Sequence, residues 1–379
     1  MSVDAWQLLF WFSFAALAYT FLGYPLLIGA LAKAAGMPVK KSSPANPPAV
    51  SVVLVAFNEE ERIVPRVANL LAANYPADKL EVLVVTDGST DGTVAKLRAL
   101  ADPRVRVLAR EQRSGKSACL NAAIPQACGE IVVLCDARQR FAPHTIPELV
   151  ANFSDPDLGA VSGSLEIDPA ATGVGGGVDL YWRLEKFIRA SEGRFSSTIG
   201  ATGAVYALRR ELFQPIPDDT LLDDVVIPLQ IAVNHGKRIT FDPTAPAYDP
   251  QTTDPAKEKR RKMRTLAGNF QMLAHHPGWL LPWRTGLWWQ LLSHKYSRIV
   301  APVFMVTMFA SNAALAGAPL YREIFCAHVA FYALALLGLA LPMLKWKPFS
   351  IPAGFVFLNL MTVGGLVNWL RGAYRQGKW

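Results

Sequence analysis

The chain has 379 residues, 51% of them hydrophobic, and a formal net charge of +8. Its mean hydropathy of +0.22 is high for a soluble enzyme and directs attention to membrane segments. The basic residues cluster beside apolar stretches, so the charge points to a membrane surface and an anionic substrate rather than to nucleic acid. Cys119, Cys128, Cys135 and Cys326 lack CxxC spacing, which excludes a zinc or thiol–disulfide motif and fits small buried hydrophobes in a reducing compartment.

Trp6 to Leu31 is almost uncharged and long enough to span a bilayer. Its length and the absence of preceding Lys or Arg argue against a signal peptide. Lys33, Lys40 and Lys41 follow it, so by the positive-inside rule the N-terminus is outside and the next domain cytoplasmic. Ser42 to Pro48 reads as a stiff linker. Residues 1–48 thus form an N-terminal span with its linker.

From Ala49 the pattern becomes alternating strands and helices. Strands are expected at Val50–Phe57, Leu80–Thr86, Arg104–Ala109 and Glu130–Asp136, with helices at Glu59–Ala73 (capped by Asn58), Thr90–Leu100 and Ser117–Gln126. The Glu130–Asp136 run is apolar on both faces, as in a parallel strand covered by helices, and it ends in a carboxylate. Ligands of open α/β sheets bind beyond such strand ends. A helix at Pro143–Phe153, a strand at Leu158–Ile167 and a loop around Gly173–Gly177 follow. Next come a long helix at Asp179–Arg194, a strand at Gly203–Leu208, a helix at Leu221–His235 and a last strand at Ile239–Pro243. The βαβα order makes a doubly wound sheet, spanning residues 49–254, the natural architecture.

Residues 255–296 are basic and Trp-rich, as in interfacial helices, and residues 297–379 hold three further spans at Ile299–Leu320, Ile324–Leu344 and Phe349–Leu370. Lys345 and Lys347 would lie in a cytoplasmic turn, whereas Arg371, Arg375 and Lys378 would lie outside, against the positive-inside rule.

Four constellations carry chemistry. Thr86–Thr93 (TDGSTDGT) is either a well-capped βα turn or a site where Asp87 meets a ribose or base edge. Arg113–Ser117 (RSGKS) lacks the first Gly of a Walker motif, but Lys116 at a helix N-terminus can still meet a diphosphate. Asp223–Asp224 at a helix start are either helix-capping acids or hold a general base. The run Lys257 to Arg264 is a membrane collar in part, from which one or two arginines can clamp a diphosphate.

In order, Asn58-Glu59-Glu60, Asp87-Gly88-Ser89, Gly115-Lys116 and Asp136-Ala137-Arg138 resemble the family 2 glycosyltransferases of the GT-A fold. Gly200-Ala201-Thr202-Gly203, Asp223-Asp224 and Arg261-Lys262-Met263-Arg264 extend that resemblance to the membrane synthases of hyaluronan, chitin oligomers and cellulose. It implies a Rossmann-like, mostly parallel sheet with helices on both faces, plus one N-terminal and three C-terminal transmembrane helices. It further implies inverting transfer from a UDP-sugar to an acceptor hydroxyl. Asn58, Glu59 and Asp87 would hold the uridine, and Lys116 the base or diphosphate. Asp136 would reach the diphosphate through Mg or Mn. Thr202, Gly203 and Asp223 would bind the acceptor, Asp224 would be the base, and Arg261 and Arg264 would hold the leaving diphosphate.

Two departures stand out. Arg138 replaces the second Asp of the family's D-x-D element. Asp136 therefore either binds metal with weakened affinity, the preferred reading, or shares the diphosphate with Arg138. Arg261 and Thr265 replace the Gln and Trp of Q-x-x-R-W, so the stacking platform of the polymer synthases is missing. The spans directly behind the basic run favour a polysaccharide or oligosaccharide synthase. Single addition to a lipid-linked acceptor is the alternative. A non-catalytic scaffold is opposed by Asp87, Asp136 and Asp224. The expected partners are a UDP-sugar, a saccharide or lipid-linked acceptor and the bilayer, without nucleic acid; a homo-oligomer or an export partner is left open.

Overall fold

The protein is described by a computed structural model covering residues 2–167, 176–250, 255–341, 343 and 346–374. Eight strands form one sheet: β1 (Val50–Ala56), β2 (Leu80–Asp87), β3 (Val105–Arg110), β4 (Ile131–Cys135), β5 (Arg140–Phe141), β6 (Leu158–Ile167), β7 (Val205–Arg209) and β8 (Arg238–Asp249), in the order β3-β2-β1-β4-β7-β6-β8-β5. β1 to β4 are mutually parallel. β7 then runs antiparallel to both β4 and β6. Strand order therefore reverses at β1–β4, and the carboxyl ends of those strands open on one edge, where ligands of such sheets bind.

Among the described residues thirteen α-helices accompany the sheet. α1 (Val3–Ala18) and α2 (Tyr24–Ala34) join through a π-helical turn into one long N-terminal helix. α3 (Ile63–Leu71), α4 (Thr93–Arg98), α5 (Lys116–Ala123), α6 (Thr145–Ala151), α7 (Gly176–Phe195) and α8 (Asp223–His235) belong to the sheet region. α9 (Pro255–His275), the single turn α10 (Trp288–Gln290), α11 (Ser297–Leu315), α12 (Pro319–Ala340) and α13 (Lys347–Leu370) complete the chain. β1 and β4 are buried throughout. Ile63, Val67 and Ile146 of α3 and α6 pack on one sheet face, while Leu120, Val225 and Leu229 of α5 and α8 pack on the other. Among the described residues four helices are long and apolar enough to cross a membrane: Val3–Ala34, Trp288–Leu315, Pro319–Ala340 and Lys347–Leu370.

Several elements differ from the sequence expectations. The first helix of the sheet region begins at Ile63, not Glu59, and Asn58 does not cap it. Asn58 has φ 53°, and its Oδ1 accepts from the Thr90 N–H at 2.9 Å. The Glu59 and Glu60 N–H groups donate to Thr93 Oγ1 (2.9 Å) and Asp91 Oδ2 (3.1 Å), so the neighbouring turn satisfies donors that a helix start would otherwise leave open. That turn also delays α4 to Thr93, whose N–H donates to Asp91 Oδ1 at 3.0 Å. The Trp-rich stretch is only partly interfacial. Trp283 is exposed, but Trp279 is buried and stacks on His276 at 4.1 Å. The Trp289 indole donates to Tyr19 Oη at 2.9 Å. The second apolar span starts at Trp288 rather than Ile299, because a π-helical turn, Leu291–Tyr296, runs into α11 without a break. Most of the Gly173–Gly177 loop, together with Lys345, Arg375 and Lys378, lies outside the described residues.

Where that π turn meets α2 and α7, a buried cluster of charge joins the apolar helices to the sheet region. His294 Nδ1 lies 2.9 Å from Glu192 Oε1, and Nε2 lies 3.2 Å from Glu185 Oε2. Arg298 Nη1 donates to Glu185 Oε2 at 2.9 Å, Arg189 Nε to Glu185 Oε1 at 3.1 Å, and the Tyr24 hydroxyl to Glu192 Oε1 at 2.5 Å. Burial alone would raise the Glu185 pKa, but His294, Arg189 and Arg298 hold it well below the ordinary carboxylate value.

Candidate active site

The site is assembled from the strand end of β2 outward. Asp87 closes β2 and is fully buried. Its Oδ1 accepts the Ser114 N–H (2.7 Å) and hydroxyl (3.0 Å), and its Oδ2 accepts the Gly115 N–H (3.0 Å). Gly115 sits at φ 97°, which a residue with a Cβ adopts only at a cost. Asp87 thus fixes a glycine turn that delivers Lys116 as the first residue of α5.

The Lys116 ammonium donates to Asp136 Oδ1 at 2.9 Å and lies 3.1 Å from Asp223 Oδ2. Asp136 follows the end of β4 and keeps 42% of its side chain exposed, whereas Asp223 is buried at the start of α8. Burial disfavours a charged lysine, yet Asp136, Asp223 and Asp224 together hold the Lys116 pKa above the ordinary value. Burial also lifts Asp223, to about 6; Lys116 opposes the shift and Asp224 and Asp136 add to it. Asp224 Oδ2 accepts the Gly203 N–H at 2.8 Å, and its carbonyl accepts the Ala201 N–H at 2.8 Å. A Cβ on Gly203 would lie 3.4 Å from Asp224 Oδ2 and 3.5 Å from Lys116 Nζ. A Cβ on Gly200, which sits at φ 136°, would lie 3.1 Å from Val225 Cα. Lys116, Asp136, Gly203, Asp223 and Asp224, singled out from sequence, therefore converge around one ammonium, while Thr202 donates its N–H to Ser162 Oγ at 3.2 Å.

The other predicted residues divide. Asn58 and Glu59 sit in the turn after β1, where Glu59 Oε2 accepts from Arg62 Nη1 at 3.0 Å. Beside them the Arg113 guanidinium stacks on Phe57 at 3.9 Å. Arg138 pairs with Asp249 at the end of β8, to which Gln139 Nε2 also donates at 3.3 Å. Arg261 and Arg264 lie on α9 in register with Gly268 and Gln271, at helical spacing. A Cβ on Gly268 would be 2.6 Å from Leu222 Cγ, and Gln271 Oε1 accepts the Leu221 N–H at 2.9 Å. The stripe carrying both arginines is therefore the one packed against the loop that leads into Asp223–Asp224.

Two residues at the site carried no sequence signal. Gln271 reads as an ordinary helix residue, yet it pins the loop before α8. Tyr206 reads as a core strand residue; it is fully buried, and its hydroxyl has no hydrogen-bond partner among the described residues. Burial, with Asp223, Asp224 and Asp136 close by, raises its pKa well above the ordinary phenol value.

No cluster of three or more His, Cys, Asp or Glu side chains able to hold a metal unaided occurs among the described residues. The donor set nevertheless fits a hard divalent cation that arrives with phosphate. Three carboxylates act on the Lys116 ammonium, and one of them, Asp136, is accessible. Mg and Mn sites commonly use one or two carboxylates plus substrate phosphates.

The sequence profile described as "Glycosyl transferase family 2" matches residues 51–216. An N-acetylglucosaminyltransferase of Bradyrhizobium elkanii is 34% identical over 122 residues, 31% of this chain and 66% of that protein. A beta-monoglucosyldiacylglycerol synthase of Nostoc sp. is 36% identical over 118 residues, 30% of this chain and 25% of that protein. The chain thus spans just under two thirds of the first relative's length and a quarter of the second's. A mannosyltransferase from Pyrobaculum calidifontis, solved with GDP-mannose and Mn2+, superposes with a TM-score of 0.74 at 26% identity, covering 96% of this chain and 99% of that one. The sheet region thus matches glycosyltransferase family 2 over residues 51–216 and carries the GT-A fold, and the described residues add four apolar helices.

Proposed function

We propose that the protein is a membrane-bound inverting glycosyltransferase that moves a sugar from a UDP-sugar to an acceptor hydroxyl at the cytoplasmic face. The N-terminus would lie outside, as Lys33, Lys40 and Lys41 after the first span suggest. The observation that carries the chemistry is the single buried Lys116 shared by the strand-end Asp136 and the helix-start acids.

Asp224 takes the proton of the acceptor hydroxyl as its oxygen bonds to the anomeric carbon. The bond from that carbon to the diphosphate breaks on the opposite face, which inverts the configuration. The Gly203 N–H steadies the Asp224 carboxylate meanwhile. Lys116, Arg264 and Arg261 offset the charge that gathers on the leaving diphosphate. Asp136 is the residue that would hold Mg or Mn, which when bound adds Lewis-acid neutralisation of the same oxygens. Asn58, Glu59 and Asp87 bound the nucleoside end. Asp87 acts there through the turn it holds, and Thr202, Gly203 and Asp223 line the acceptor side.

Elongation of an oligosaccharide or polysaccharide is the leading form of this reading. Two observations favour single addition to a lipid acceptor instead. Thr265 stands in place of the stacking Trp, with its hydroxyl bonded to the Arg261 carbonyl at 3.1 Å, and the Nostoc relative is a glycolipid synthase by name. Nucleotide release by the full chain in detergent, screened over UDP- and GDP-sugars with and without Mn2+, tests the transfer. A product ladder supports elongation and one added sugar the alternative; release from no donor contradicts both.

A further inference from the structure

One buried polar atom of the acidic cluster lacks a hydrogen bond among the described residues, the Tyr206 hydroxyl. Asp223 Oδ2, an acceptor, is held by the Lys116 ammonium at 3.1 Å. Tyr206 pairs with Leu134 of β4 and Ser162 of β6, and its ring packs in the core under α5 and α8 with Leu120, Leu222 and Val225. It therefore lies beneath the helix starts that supply Lys116 and Asp223. Of the charged groups around its hydroxyl, Asp223 acts most strongly, then Asp224 and Asp136. A buried donor without a partner is costly. It is tolerated where a second arrangement satisfies it.

Lys116 is divided between Asp136 at 2.9 Å and Asp223 at 3.1 Å. A donor diphosphate carries more negative charge than either carboxylate and competes for that ammonium. We propose that Tyr206 is a positioning residue that takes over Asp223 when the donor diphosphate draws Lys116 away. The exchange keeps Asp223 held at the moment its counter-charge leaves, and with it the start of α8 that presents Asp224. Burial and the three acids keep the phenol protonated, so it remains a donor throughout. Tyr206 is fully buried and acts through Asp223 without touching substrate. The inference rests on the proposed reading of Lys116 as the diphosphate-binding lysine.

A double-mutant cycle tests it, with the full chain in detergent and UDP or GDP, each with Mn2+, as calorimetric probes. Tyr206→Phe removes only a hydroxyl that is unbonded in the free chain. The melting temperature without nucleotide should therefore hold or rise, while nucleotide affinity falls about tenfold. In an Asp223→Asn background the same change should have little further effect. A structural role alone would lower the melting temperature and leave affinity intact. Tyr206→Phe binding as tightly as wild type overturns the exchange, as does an equal loss in both backgrounds. If the wild type binds neither nucleotide, the donor-site reading falls as well; if it binds but Tyr206→Phe changes nothing, only the exchange falls.

Discussion

The molecule buries charge in two places and balances it differently. At the junction of the apolar helices with the sheet region, Glu185 and Glu192 meet His294, Arg298, Arg189 and the Tyr24 hydroxyl. At the sheet edge, Asp136 and Asp223 share Lys116, which also attracts Asp224, and Lys295 interacts with Asp224 as well. The first is a closed set in which each carboxylate has several donors. The second divides Lys116 between two carboxylates and leaves the Tyr206 hydroxyl without a hydrogen-bond partner among the described residues. Buried polar networks that are fully satisfied rigidify a structure, and partly satisfied ones are where ligands act. The junction reads as a rivet and the sheet edge as a site awaiting cationic and phosphate partners.

The comparison breaks most visibly at Lys116. Lys116→Met should reduce nucleotide release by about 10²–10³-fold, measured per folded molecule in detergent. A variant that melts early but turns over normally would make the sheet-edge cluster a second rivet. Glu185→Gln should do the reverse. Removing one member of a buried, paired set costs about 3–5 kcal/mol of stability, so the melting temperature should drop while turnover per folded molecule stays near wild type.

The two regions should also part with pH. Asp223 is lifted from 3.8 to about 6, so its ionised form costs stability above pH 6, and that cost fades as pH falls towards 4. Glu185 is depressed below 4.5; its contribution is present above that value and is lost only as pH falls beneath it. Asp223→Asn should accordingly raise the melting temperature by about 2–4 °C at pH 7.5, and the gain should vanish near pH 4. A gain independent of pH would contradict the burial of a charged Asp223. The smallest effect is expected at Arg138, which is held by Asp249. Arg138→Ala should shift the Mn2+ concentration for half-maximal release by less than about threefold; a larger shift would return Arg138 to the diphosphate.

What was legible in the sequence follows the same division. β1 and β4 announce themselves as unbroken Val- and Ile-rich runs because strands buried on both faces need no alternation. Asp87, Lys116, Asp136 and Asp224 lie at element ends, where local sequence fixes position, and their convergence followed from strand order. The junction was illegible. Tyr24, Glu185 and His294 are far apart in the chain, and each looks ordinary among its neighbours. Tyr206 was hidden because an aromatic in a buried strand reads as core. Asn58 misled for a different reason: an Asn before acids looks like a helix cap, but its side chain is spent on the Thr90 turn. Trp279 and Trp289 misled because aromatic-rich sequence beside basic residues looks interfacial whether the indoles face lipid or the core.

The most direct test of the sheet edge as a catalytic site is Mn2+-dependent nucleotide release by Asp224→Asn, measured beside its melting temperature. A loss of about 10²–10⁴-fold in kcat at unchanged melting temperature is the predicted result for a general base. Release at the wild-type rate would contradict it.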